Sequence, residues 1–552
     1  MKWSHIERTR RILSREQGMI VKDWGGKLAI ALVYPNSYHV GMSSLGFQTV
    51  YRLFNVHQDV VCERVFWQPR FAPDDPVLSI ETQRAMADFD IIAFSISFEL
   101  DYPHVVQVLR QAGIPLLAHE RDRDWPLIIA GGPAVSANPL PLADFVDGFV
   151  IGEVEPVAER LIDTLRDNAF ERRDALWRML SQIPGVYAPH LDFDHPRPVK
   201  RQWVQDLDNH PTATVIHTPD TEFGDMHLIE VARGCGRGCR FCLAGFITRP
   251  KREYGIDTIL EQARQGLTKR KRIGLVGAAV SDYSQIDDLA LQLREMGAQI
   301  SVSSLRVSPL SEPLLKALAE SGAKTLTLAP EAGSERLRQI INKGVTESDL
   351  VHAVERAAHY RFRNLKLYFM IGLPTEADED ISAIAALCRQ AATRFSGRVM
   401  ANVTPFVPKA HTPFQWMAMA PLEVLDARLK RLNKVLKQQN IELGSESPQW
   451  AVIQGLLARG DKKLGSVLSS LRGTSQRAWK LATQEHSVTV SGDAPSDPLP
   501  WGFIESGVRT GYLEREWQRA QTGSPSIPCP PDGCTSCGVC EPGEQENGSI
   551  SA

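Results

Sequence analysis

The chain has 552 residues, more than one hydrophobic core usually serves, so about two to four domains are expected. Apolar residues make up 43%, which excludes a disordered polymer, and a net charge of −3 excludes a globally basic nucleic-acid binder. No apolar run reaches the roughly 18 residues a membrane span needs, and Met1 to Glu7 holds no apolar signal core, so a cytoplasmic protein without membrane contact is expected.

In chain order, residues 1–20 are charged and read as a helical extension. Leu28–Val33 is a short apolar run that reads as a buried strand, and a turn-rich stretch follows through Pro35, Gly41 and Gly46. Ile91–Ile96 is the next strand, and Pro103–Ala112 the helix after it. Leu127–Ala130 runs into Gly131-Gly132-Pro133, and Phe149–Ile151 runs into Gly152-Glu153. Continuous apolar strands alternating with helices predict a parallel sheet covered on both faces. Ligands of such sheets sit beyond the carboxyl ends of the strands, where these glycines fall. Residues 196–226 are polar and proline-rich and read as a linker with an edge hairpin.

A second series begins at His227, with strands expected near 227–232, 272–276, 299–304, 325–328, 364–371 and 398–404 and a helix after each. Six such units predict an open, partial barrel, with active residues at the carboxyl ends of its strands. The basic run Lys269-Arg270-Lys271-Arg272 reads as a solvated helix end. Residues 421–523 read as helical, and 524–552 as a Cys-rich tail that cannot rely on a hydrophobic core.

Two of the nine cysteines, Cys62 and Cys388, stand alone and read as buried small hydrophobes. Three lie in Arg233-Gly234-Cys235-Gly236-Arg237-Gly238-Cys239-Arg240-Phe241-Cys242, after the first strand of the barrel. Three thiolates on a Gly-rich loop can take three corners of a 4Fe–4S cluster and leave one iron open for a ligand. A zinc site short of one ligand, or a cluster completed by a distant cysteine, would use the same residues.

This C-x3-C-x2-C loop resembles the signature of the radical S-adenosylmethionine (SAM) superfamily, and the resemblance runs over residues 227–410. It implies that the open iron chelates SAM, that one electron cleaves SAM to a 5′-deoxyadenosyl radical, and that a flavodoxin or ferredoxin supplies the electron. By the same resemblance, Phe241 packs near the adenine and Gly277 and Ala278 contact the methionine amine. Ser304 and Arg306 meet the ribose or carboxylate, Glu331 the ribose hydroxyls, Lys343 the carboxylate, and Gly372 lines the adenine. The acidic residue of the second-strand motif is missing, with Asp282 nearby.

A doubly wound domain ahead of such a barrel looks like the cobalamin-binding subclass. Tyr34–Gly46, Gly131-Gly132-Pro133, Gly152–Glu155, Pro405–Phe414 and Ala458–Asp461 resemble a group of uncharacterised cobalamin-type members. The implied fold is α/β. It comprises a cobalamin-binding-like Rossmann domain over 21–195, a partial (β/α)6 radical SAM core over 227–420 and the helical C-terminal region with its tail. Gly131 and Gly132 are expected near the cobalamin tail. The aspartate of D-x-H-x-x-G is absent at Ser37-Tyr38-His39, so His39 as a cobalt ligand would lack the partner that orients the imidazole.

Cys529, Cys534, Cys537 and Cys540 are spaced C-x4-C-x2-C-x2-C, a contiguous run closer to a ferredoxin cluster than to two zinc knuckles. An auxiliary Fe–S cluster is expected, with zinc or an unmetallated redox tail as alternatives. The leading functional expectation is a cobalamin-assisted radical SAM transferase acting on a small molecule, RNA or protein. Modification of methylthiotransferase type and a non-catalytic Fe–S sensor or assembly factor are the alternatives.

Overall fold

A computed structural model describes residues 3–68, 76–168, 171–191, 196–488, 493–495, 497–530 and 534–540. A helix over Trp3–Leu13 precedes a six-stranded sheet. Its strands are β1 (Leu28–Tyr34), β2 (Val60–Phe66), β3 (Ile91–Ser95), β4 (Leu127–Gly131), β5 (Gly148–Val150) and β6 (Val186–Tyr187). The order is β2-β1-β3-β4-β5-β6, parallel except for β6. Alternation along the strands divides two cores. Ala29, Ala31, Val33, Ile92 and Phe94 face one side, and Leu28, Ile30, Leu32, Ile91 and Ala93 the other. Because β1 and β3 are neighbours from which the chain winds in opposite directions, a crevice opens at their carboxyl ends.

After β7 (Val199–Lys200) the second series forms β8 (Met226–Glu230), β9 (Ala232–Arg233), β10 (Arg252–Glu253), β11 (Arg272–Val276) and β12 (Gln299–Val302). It continues through β13 (Thr325–Glu331), β14 (Asn364–Ile371), β15 (Arg398–Pro405) and β16 (Glu442–Ser445). β8, β11 and β12 form one parallel sheet and β13 to β16 another, with a Leu305–Leu328 bridge joining them. One apolar core packs the strands of this open barrel against the helices around them.

The structure corrects two expectations and adds one strand that neither covered. The barrel gains a parallel strand, β16, inside the stretch expected to be helical. In place of an edge hairpin, β7 pairs in parallel with β17 (Ile504–Glu505), so the C-terminal region returns to the first half of the chain. β2 was not foreseen at all, yet every one of its residues is buried. The helices Pro448–Arg459, Leu464–Ser470 and Gln476–Glu485 send Leu457, Val467 and Trp479 into the core on one face of the N-terminal sheet. No described helix is long and apolar enough to cross a membrane.

Candidate active site

The chain turns out of β8 and, through β9, into the loop that carries Cys235, Cys239 and Cys242. β9 pairs antiparallel with β10, closing the base of this loop. Gly234 has φ +83, and a Cβ there would lie 2.4 Å from the Thr248 carbonyl oxygen, so only glycine permits the turn. Arg237 grips Asp282 with two hydrogen bonds of 2.7 and 2.5 Å. Asp282 thus anchors the cysteine loop, a role its place in sequence did not suggest.

Burial raises the pKa of Cys235 and pushes that of Cys242 up to about 12, and the neighbouring cysteines add to both rises. Arg306 beside Cys235 and Lys343 beside Cys242 act the other way. Buried thiols of this kind ionise readily only when a cation takes up the charge, as ligation to metal does. Among the described residues no three ligating side chains converge on a single ion. A cubane asks for something else, since its three cysteines each bind a different iron.

Around the loop stand the residues expected to hold SAM. Phe241 packs against the patch of Met370, Leu373, Phe406 and Phe414. Gly277 and Ala278 follow β11, and a Cβ on Gly277 would stand 3.3 Å from the Ala232 carbonyl oxygen. Ser304 is exposed beyond β12. The Arg306 guanidinium donates to the Lys343 carbonyl oxygen at 3.2 Å and lies 3.8 Å from Asp282. Lys343 and Glu331 pair with each other at 3.0 Å, and Glu331 adopts φ +69 at the end of β13. Gly372, at φ +81, donates its N–H to Glu376 at 2.6 Å.

A cavity of about 440 Å³ lies at the carboxyl ends of the N-terminal sheet and reaches the base of the cysteine loop. Ser95, Gly131 and Gly132 line it from the sheet, and Glu230, Arg233 and Thr248 from the barrel. Gly132, at φ +109, would place a Cβ 2.5 Å from the Ile96 carbonyl oxygen. Of the Tyr34–Gly46 stretch, only Ser44, Leu45 and Gly46 touch this cavity. His39 does not line it; its ring is 55% exposed and lies 3.6 Å from Glu222.

At the rim the two halves are bolted together. Arg233 binds Glu153 at 2.9 Å, Glu155 at 3.0 Å and Glu230 at 2.8 Å, and Arg252 binds Glu153 at 2.7 Å. Burial pushes the Glu153 carboxyl up, but the Arg252 hydrogen bond and the Arg233 charge outweigh it and hold the group below its ordinary range.

Residues 46–189 match the family described as radical SAM proteins, N-terminal, and residues 229–388 match the radical SAM superfamily. An uncharacterised protein of Methanocaldococcus jannaschii is 31% identical over 453 residues, 80% of this chain and 90% of that one. The chain belongs to the radical SAM superfamily. A tRNA-2-methylthio-N(6)-dimethylallyladenosine synthase of Legionella pneumophila is 26% identical across 54% of this chain and 68% of its own length. The radical SAM methyltransferase TsrM of Kitasatospora setae, solved with cobalamin and a [4Fe-4S] cluster, aligns with a TM-score of 0.49 and 12% identity. That alignment covers 84% of this chain and 99% of TsrM.

The donor set suits the superfamily's 4Fe–4S cluster and SAM. Three thiols share a loop whose glycines allow tight turns, and two cations face them. The Arg233–Glu153–Glu155–Arg252 network escapes a reading of the sequence, because its partners lie 78 to 99 residues apart. A basic residue directly before the cysteine motif, with an acidic pair after a strand of the other domain, was the available signal.

Proposed function

We propose that this chain reductively cleaves one SAM and uses cobalamin to carry the methyl group of a second SAM, left as S-adenosylhomocysteine, to an unreactive carbon or phosphorus centre. The observation that carries the reading is the cavity shared by the N-terminal sheet and the base of the cysteine loop. The cluster would supply one electron to the S–C5′ bond, giving methionine and a 5′-deoxyadenosyl radical. Cys235, Cys239 and Cys242 would hold it, and the iron they leave free suits the amino and carboxylate groups of SAM. Lys343 and Arg306 would offset the carboxylate charge, and Phe241 with its apolar patch would shield the adenine from water. Gly131 and Gly132 line the cavity with backbone alone, which would suit the close approach of a bulky tetrapyrrole. A second reading, modification of methylthiotransferase type, draws on the identity with the Legionella tRNA enzyme.

Anaerobic reconstitution with iron, sulfide, cobalamin and SAM tests the proposal. The protein should retain about one cobalamin per chain and release 5′-deoxyadenosine after reduction. Cys239→Ala should abolish release, because two thiolates cannot keep a cluster with one distinctive iron. Release by the variant at the wild-type rate refutes the loop assignment, and failure to retain cobalamin refutes the cofactor. Mass spectrometry of RNA and metabolites from a deletion strain separates the two readings.

A further inference from the structure

The tail cysteines end up beside the candidate cluster loop, although about 290 residues separate them in sequence. The Cys529 N–H donates to the Gly236 carbonyl oxygen at 2.7 Å, between Cys235 and Cys239. A Cβ on Gly236 would sit 3.2 Å from the Cys529 Cβ, so the glycine lets the tail approach. The Ser526 N–H donates to Asn342 Oδ1 at 2.9 Å, and Asn342 Nδ2 donates to the Gly238 carbonyl oxygen at 3.1 Å. Arg240, next to Cys239, is fully buried. It donates to the Ser524 carbonyl oxygen at 2.7 Å and to Ser526 Oγ at 3.0 Å, and pairs with Glu516 at 3.2 Å.

Beyond this latch the chain folds against the helix Thr510–Gln521. Cys537 is buried, and its carbonyl oxygen accepts from the Arg509 N–H at 2.9 Å. Between tail and loop lies Arg249, 2% exposed, over the rings of Phe246 at 4.7 Å and Tyr512 at 5.4 Å. Its charge acts on both Cys529 and Cys537. A buried cation at this place suits an anionic thiolate-ligated centre. Cys540, by contrast, is exposed, so the four cysteines span from solvent to the loop backbone.

We infer that Cys529, Cys534, Cys537 and Cys540 hold a second 4Fe–4S cluster, docked on the loop of Cys235, Cys239 and Cys242 and serving as its electron entry point. The inference rests on the radical SAM assignment of that loop. Four thiolates occupy every iron of a cubane, so this centre binds neither SAM nor substrate. Its chemistry is electron carriage. It takes one electron from a low-potential ferredoxin- or flavodoxin-type donor on the Cys540 side and passes one to the loop site, with no bond made or broken.

The test uses full-length protein, reconstituted anaerobically and assayed for iron, sulfide and zinc, with EPR of the reduced form. The wild type should hold about eight iron atoms, two cubanes. Cys534→Ser/Cys537→Ser should lose about four of them and keep the signal that SAM perturbs. Its SAM cleavage with a protein donor should fall at least tenfold. Cys540→Ala removes a single exposed thiol and guards against misfolding; it should convert the tail centre to a three-iron form with its own EPR signal. The triple variant Cys235→Ala/Cys239→Ala/Cys242→Ala should retain about four iron atoms, with a signal indifferent to SAM. Unchanged iron in both tail variants, or loss of one zinc instead, overturns the inference. Unchanged iron in the triple variant overturns the loop assignment instead, whatever the tail does.

Discussion

His217 and His227 meet at 3.0 Å, with rings stacked at a centroid distance of 5.2 Å, where the segment before the barrel crosses β8. Burial lowers both pKa values from 6.5 to about 4, and for His217 the charge of His227 adds to the fall. Neutral imidazoles are therefore the folded form. Between pH 6.5 and about 4 the unfolded chain binds more protons than the folded one, so stability is full above this window and is lost as pH falls through it. The melting temperature should drop across that range, and His217→Gln/His227→Gln should show a shallower slope. His411, buried and lowered to about 4, acts with the same sign and should leave a residual slope. Equal slopes for variant and wild type would remove the pair from this account.

β2 shows what an element can hide. Its sequence, Val-Val-Cys-Glu-Arg-Val-Phe, carries charges in the middle of an apolar run and does not read as a buried strand. Inside, Arg64 bonds Glu16 at 2.7 Å and Glu81 at 2.6 Å, with all three side chains 0% exposed. The partners lie 48 and 17 residues away, so no local pattern could announce them. Arg64→Met should cost about 3–5 kcal/mol by leaving buried carboxylates without a counter-charge. The urea midpoint measures it, and Arg64→Met/Glu16→Gln/Glu81→Gln should recover most of the loss. The strands around it were legible because their residues are apolar on both faces, as in β1 and β3. The cysteine loop was legible because its ligands are close in sequence. Contacts made by distant segments were not, among them β7 with β17, Asp282 with Arg237, and Cys529 with Gly236. His39, which lacks the aspartate that orients a metal-bound imidazole, is turned to solvent beside Glu222.

Across the whole molecule, the cavity is built by residues from both sheets, and its volume should matter more than any single contact. Ser95, at the end of β3 beside Gly131, points to a direct test. Ser95→Trp should fill part of the space and weaken cobalamin retention at least tenfold, while iron content stays at the wild-type value. Equilibrium dialysis and metal analysis on the same sample separate these effects. Undiminished retention would move the corrinoid elsewhere.

The Arg233 bolt also sets the manner in which chemistry can be shared between the two halves. Arg233 stands two residues before Cys235, and its partners Glu153 and Glu155 hang from the far end of β5. Breaking such a partly buried set leaves uncompensated carboxylates, so thermal motion will seldom part the halves. Methyl carriers on flexible arms travel between stations and meet donor and acceptor in turn. For the corrinoid proposed above, the rim would allow no such journey: a substrate would have to come to a fixed bench, and its size would be limited by the gap between cavity and loop.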